Sequence, residues 1–262
     1  MKKILLVGIV IIGCNQTHPA SEKGLVYGHI NTDGRTICER FHPPAEYQRT
    51  ESVPGSFADY LRNLKLKPYG DTVWYHNGTP KLKRNVYLSV IDMDIGERDL
   101  QQCADAVMRL RAEYLFHQGR FDEIHFNFVS DGKPRYFRNF AGGDDSYGTF
   151  RRYMDYIFSY ANTRSLHGEM VQVKELADMQ IGDVFIQKGN PFGHAVIIVD
   201  MAADREGNKL FILAQSFMPA QDIQILVNPQ NGHISPWYEI PPGELMTPEW
   251  TFLPGDLRRF PE

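Results

Sequence analysis

Long runs of one chemistry are missing from this sequence, and each gap removes a class of function. Its 28 lysines and arginines are interspersed with 32 aspartates and glutamates, for a net charge of −4. No basic stripe exists to neutralise a phosphate backbone, so nucleic acid is not expected as a partner. The nine histidines are scattered. There is no His-Glu-x-x-His helix, no Cys-x-x-Cys pair, no aspartate-rich calcium loop, no phosphate loop and no dinucleotide fingerprint. Neither a metal nor a cofactor is therefore expected. Repeats, low-complexity tracts and a dividing linker are also lacking, so one domain over residues 24–262 is the expectation. With 42% hydrophobic and 12% aromatic residues, that domain can bury a substantial core.

What is present is most specific at the N-terminus. The stretch "MKKILLVGIVIIGCNQ" sets Lys2 and Lys3 before an apolar run at 4–12. That run is too short to span a bilayer and has the proportions of a signal-peptide core. The ending Ile11-Ile12-Gly13-Cys14 resembles the bacterial lipobox, whose cysteine is acylated and becomes the mature N-terminus. The resemblance implies a signal peptide at 1–13, lipid attachment at Cys14 and a polar tether at 14–23. It further implies a cell-envelope lipoprotein, on the outer membrane or the periplasmic face, whose partner is the lipid bilayer. With Cys14 assigned to lipid, only Cys38 and Cys103 remain of the three cysteines. In an oxidising envelope they either bridge each other or leave a reactive thiol.

Along the body, "GSFADYLRNLKL" reads as a short helix capped by Ser56, with Phe57, Tyr60, Leu61 and Leu64 on one face. A strand over "NVYLSVIDMDIG" follows, and then a helix through "LQQCADAVMRLRAEYLF" with Asp99 as its cap and Gln102 in the capping-box position. Cys103 then falls in the first turn, where unpaired amides and the helix dipole favour a thiolate; the apolar stripe of the same helix would equally hold it in the core. Arg109 and Glu113 read as a surface ion pair. "DEIHFNFVS" alternates as a half-buried strand, and "DGKPRYFRNFAGGDDSYG" reads as a long aromatic loop offering Tyr136, Phe137 and Phe140 to a ligand. A helix at 149–162 buries Phe150, Tyr153, Met154, Ile157, Phe158 and Ala161.

The segments "DVFIQ", "HAVIIVDMA" and "LFILAQSF" form a meander of three antiparallel strands. In it His194 opens the second strand, and Gln215 or Ser216 lies beside it on the third, the register deciding which shares its face. An amide beside an imidazole can fix its tautomer, as a catalytic base requires. The order of helix cysteine, strand histidine and polar group resembles papain-like cysteine peptidases, in particular the NlpC-type cell-wall amidases, over residues 96–217. "GDVFI" and "GHAVIIV" are similar to that family's Gly-Asp strand and His-bearing strand. The resemblance implies an α+β, papain-like fold in which the helix bearing Cys103 packs on an antiparallel sheet. It also implies Cys103 as nucleophile, His194 as general base and Gln215 as orienting group. Here Gln102-Cys103-Ala104 replaces the usual Asp-Cys-Ser, and about 90 residues separate Cys103 from His194, implying a helical insertion. Transglutaminase-like domains share the order of cysteine and His-Ala. Over residues 40–260 the chain also resembles a family of Bacteroidota lipoproteins of unknown function, through "SFADYLRNLKLKP", "DLQQCADAVMRLRAEYL", "MQIGDVFIQ", "LAQSFMPAQDIQIL" and "TPEWTF". Two expectations follow. One is a lipid-anchored thiol hydrolase acting on amide bonds such as those of peptidoglycan peptides. The other is a non-catalytic envelope binding lipoprotein on the same scaffold.

Overall fold

The computed structural model describes residues 28–261. The expected signal peptide, Cys14 and the tether at 14–23 lie outside the described residues. The helices are α1 (Ile37–Arg40), α2 (Phe57–Arg62), α3 (Cys103–His117), α4 (Phe137–Ala141), α5 (Tyr147–Tyr160) and α6 (Thr163–Glu169). The strands are β1 (Gln48–Arg49), β2 (Tyr87–Val90), β3 (His125–Asn127), β4 (Pro134–Tyr136), β5 (Val171–Gln172), β6 (Val184–Gln187) and β7 (His194–Ala203), followed by β8 (Lys209–Gln215), β9 (Gln224–Leu226), β10 (Trp237–Glu239), β11 (Leu245–Met246), β12 (Thr251–Phe252) and β13 (Leu257–Arg259). This is an α+β fold. Its main sheet has nine strands in the order β2-β9-β8-β7-β6-β13-β5, with β1 added to β7 and β10 to β8, and every pair is antiparallel.

The two faces of β7 bury different partners. Ala195, Ile197 and Val199 belong to the cluster that contains α3 and α5. Val196 and Ile198 face a second cluster with Phe185, Phe211, Tyr238 and Phe252. A strand buried on both sides reads as a continuous apolar run, which is why the sequence from 195 to 199 shows no alternation. Each valine or isoleucine among them contributes about 1.5–3 kcal/mol through burial. In the same strand Asp200 is fully buried and accepts from Arg49 Nε at 2.8 Å and Arg62 Nε at 2.7 Å, just past an irregularity in the β7–β8 register. Two guanidinium groups on one carboxylate are what permit a charge at that depth.

α2 starts where expected, with the Ser56 hydroxyl accepting the Asp59 amide at 3.2 Å. α3 does not. Gln102 is its N-cap, and its backbone amide donates to Asp105 Oδ2 at 3.1 Å. Asp99 is engaged elsewhere: its Oδ1 accepts the Ala220 amide at 2.7 Å and the Gln102 side chain at 2.9 Å, so a tertiary contact removes it from capping. Arg109 and Glu113 are a buried pair, not a surface one. Arg109 Nε donates to Glu113 at 2.6 Å, and its other nitrogens reach Gln101, the Asp94 carbonyl and Tyr147. The residues read as an aromatic loop form instead β4 and α4, because Phe137 packs against Phe116, Phe121, Phe150 and Tyr153. α5 buries Phe150, Tyr153, Met154, Ile157 and Phe158 as the periodicity predicts. Among the described residues no helix is long and apolar enough to cross a membrane.

Candidate functional site

The turn between β6 and β7 sets the candidate base. Gly189 has φ +61°, and a Cβ there would meet the Phe192 carbonyl oxygen at 1.6 Å; at Gly193 it would meet the Gln187 carbonyl oxygen at 2.2 Å. Only glycines let residues 188–193 double back tightly enough for Gln187 to pair with His194. His194 therefore enters as the first residue of β7, fully buried.

Extending the β7–β8 register from Ile197 opposite Ala214 puts Phe217 across from His194 and Gln215 on the same face. The His194 Nε2 to Gln215 Oε1 distance is 2.8 Å. The Gln215 amide nitrogen donates to Glu249 Oε2 at 2.9 Å, and the same oxygen accepts from Lys81 Nζ at 2.8 Å. A carboxylate can only accept, so the Gln215 NH2 faces Glu249 and its carbonyl oxygen faces His194. The imidazole proton then sits on Nε2, leaving Nδ1 a bare lone pair. Phe217, Trp250 and Phe252 surround the ring at centroid distances of 4.8, 5.2 and 5.8 Å, keeping water from the His194–Gln215 bond. Burial pushes the imidazole down to about 4, so it is neutral at pH 7. Ser216, the alternative neighbour, turns to the other side and donates to the Gln101 and Gln221 carbonyls at 3.1 and 2.7 Å.

Cys103 is the first residue of α3. It is a free buried thiol, so no bridge to Cys38 forms. The first-turn position predicted a lowered pKa. Burial, reinforced by Asp105, instead pushes the thiol up to about 12. Two contacts tie this helix start to the sheet: Ser216 Oγ to the Gln101 carbonyl at 3.1 Å and the Ala220 amide to Asp99 at 2.7 Å. Cys103 and Gly193, the residue leading into His194, line one cleft of about 340 Å³ with Gln102, Asp105, Arg164 and Lys188. His194 points to the sheet face opposite the one on which the body of α3 packs. Thiol and imidazole can thus meet only at the tip of β7, and no hydrogen bond between them is formed.

Three of the seven buried polar atoms that lack a hydrogen-bond partner among the described residues belong to the start of α3 and the first residue of β7: Gln101 Nε2, Asp105 Oδ1 and His194 Nδ1. Buried polar groups are normally paired, and such a cluster calls for a ligand or a reaction to complete it. The aromatic candidates are elsewhere. Phe137 is fully buried and unavailable to a ligand. Phe140 packs on Tyr153 and Tyr156, and Tyr136 packs at a tilt on His125 beside a different pocket with Glu169 and Phe260. Sequence reasoning missed Glu249 and Lys81, which are 168 residues apart and carry no spacing signal. It also missed Asp105, whose place three residues after the true N-cap would have marked it had the cap been read at Gln102. No group of three or more His, Cys, Asp or Glu among the described residues could hold a metal ion.

No curated protein and no solved structure matches the chain. A family described as Domain of unknown function (4846) matches residues 37–145 and 135–259, which together take in both the helix of Cys103 and the strands of His194 and Gln215, and the chain belongs to that family.

Proposed function

We propose that this chain is a lipid-anchored cell-envelope thiol hydrolase of papain-like architecture, acting on amide bonds such as those of peptidoglycan peptides. Cys103 is the nucleophile, His194 the general base and Gln215 the orienting group. One observation carries the reading: a fully buried imidazole whose Nε2 is pinned by an oriented amide and whose Nδ1 lone pair is unpartnered, in the residue that follows Gly193, which lines a cleft with Cys103. A histidine serving only the core would have both nitrogens satisfied.

With the thiol at about 12 and the imidazole at about 4, a resting thiolate–imidazolium pair is unfavourable by on the order of 10 kcal/mol before their mutual attraction. The resting pair is therefore neutral, and proton transfer accompanies attack. Sγ bonds to the carbonyl carbon as its proton passes to His194 Nδ1, and the carbonyl electrons move to oxygen. The first amides of a helix have no partner within it, so the Cys103 backbone N–H can receive that oxyanion. Collapse breaks the C–N bond, and Nδ1–H protonates the leaving amine. Water then gives a proton to Nδ1 and attacks the thioester, which releases the acid and returns the proton to sulfur. Binding of substrate must tighten the approach of Sγ to Nδ1, as catalytic hydrogen bonds often do.

The experiment is digestion of purified peptidoglycan by the reduced protein, with fragments read by mass spectrometry. New fragments from wild type and none from Cys103→Ala are expected. Undiminished cleavage by Cys103→Ala overturns the nucleophile, and no cleavage by wild type returns the chain to a binding lipoprotein. Anchoring is tested by Cys14→Ser, which should move the protein from the membrane to the soluble fraction.

A further inference from the structure

The cleft over Cys103 is small for a ligand pocket, at about 340 Å³. Its charged lining therefore addresses the same small group that the thiol does. That lining is one-sided. Arg164 and Lys188 are both exposed, at the start of α6 and in the turn at 188–193. Among the described residues neither forms an ion pair, whereas Arg120, Arg135 and Arg138 each hold a carboxylate at 3.0 Å or less. The single acidic residue in the lining is Asp105. Its Oδ2 accepts the Gln102 amide at 3.1 Å, while Oδ1 is buried without a partner in a residue only 7% exposed. Burial pushes this carboxyl up to about 8, so at neutral pH it holds a proton. With Oδ2 accepting, that proton belongs on Oδ1, as a donor with nothing to donate to. In a protein of net charge −4, the cleft holds two unpaired cations, one neutral acid and no anion.

We propose that the cleft recognises a free carboxylate on the substrate, held by Arg164 and Lys188 and hydrogen-bonded by Asp105, so that the preferred substrate is an acidic peptide cleaved beside its carboxylate-bearing residue. This rests on the cleft being the substrate site of the proposed hydrolase and adds the substrate class. A carboxylate between two cations and a carboxylic acid gains charge-assisted hydrogen bonds, the strongest kind available to it. Ionised Asp105 would instead repel it. The titratable and charged groups that share the cleft lining with Asp105 are Cys103 in its own turn, Arg164 and Lys188.

The test uses full-length Cys103→Ala protein and two peptides, acetyl-Ala-Glu-Ala-amide and acetyl-Ala-Gln-Ala-amide, titrated by calorimetry. The Glu peptide should bind about ten-fold tighter or more at pH 7. Arg164→Gln with Lys188→Gln should remove the preference. Asp105→Asn, which keeps a donor in place, should retain it, and Asp105→Leu should weaken it. Affinity for the Glu peptide should fall above about pH 8 when Asp105 is present and stay level in the Asp105→Asn variant. Equal affinities, a preference for Gln, or no saturable binding of the Glu peptide overturns the proposal. Because binding is read without the thiol, a chain that prefers Glu but cleaves nothing as wild type refutes the hydrolase and keeps the carboxylate site. One that cleaves both peptides equally does the reverse.

Discussion

Replacing Asp105 by asparagine should stabilise the protein, and the size of the effect can be worked from the site. The carboxyl titrates at about 8 in the folded chain against 3.8 when solvated, with burial as the main cause. Because the folded value is the higher one, the folded state binds more protons between those limits. Stability is thus fully present below about pH 4, falls as pH rises, and levels off above about 8. At pH 7 the cost of keeping the proton is on the order of 4 kcal/mol, from about three pH units at 1.36 kcal/mol each. Asparagine fits the same space, keeps an oxygen for the Gln102 amide and does not titrate. Urea unfolding of both proteins at pH 5, 7 and 9 is the assay. The variant's advantage should be small at pH 5, a few kcal/mol at pH 7 and largest at pH 9. Parallel stabilities across the range would mean that Asp105 is ionised in the fold, and the account of its free oxygen would fall with it. A gain in stability on removing an acid from a cleft is also what a residue kept for function shows.

Other perturbations test other joints of the same corner. In the Glu249→Leu/Lys81→Met double variant the Gln215 amide is free to flip, so the ring nitrogens of His194, read by 15N NMR, should change from a single Nε2-protonated tautomer to a mixture; an unchanged tautomer would show that Glu249 does not orient the amide. His194 itself lowers acid tolerance: with its folded value near 4, below the solvated 6.5, stability is present above about 6.5 and falls as pH drops to 4, by roughly 3 kcal/mol. His194→Leu should flatten that part of the curve, measured by thermal unfolding against pH. Arg62→Met leaves the buried Asp200 with one guanidinium and the Met201 amide and should cost about 3 kcal/mol in urea unfolding; a change under about 1 kcal/mol would show that Arg49 alone suffices as counter-charge.

The strands and the base were legible because their signals are local. "DVFIQ" and "HAVIIVDMA" are bounded by glycines whose steric need is real, and the meander register follows from turn length, so the position across from His194 could be deduced to within two residues, with Gln215 or Ser216 beside it. Helices α2 and α5 were legible for the same reason, through apolar spacing. The misread features all depend on partners far away in sequence. Asp99 has the chemistry of a cap, yet the Ala220 amide 121 residues later captures it. Arg109 and Glu113 have the spacing of a surface pair, and only packing against Tyr147 and Gln101 buries them. Phe137 sits among loop-forming residues, yet four aromatic rings from α3, α5 and the 121–123 turn enclose it. The raised thiol value is likewise a tertiary property: helix position alone argued for the opposite sign.

The hairpin turn at 188–193 has a use beyond placing His194. It is closed at its base by the pairing of Gln187 with His194, while Lys188, Pro191, Phe192 and Gly193 form one wall of the cleft. Wall and base are therefore separable: a longer turn grafted between Gln187 and His194 would reshape the wall without shifting the imidazole, since the ladder below it sets the frame. In a lineage or a library, substrate preference could then drift by insertion in this single turn while the chemistry stays in register.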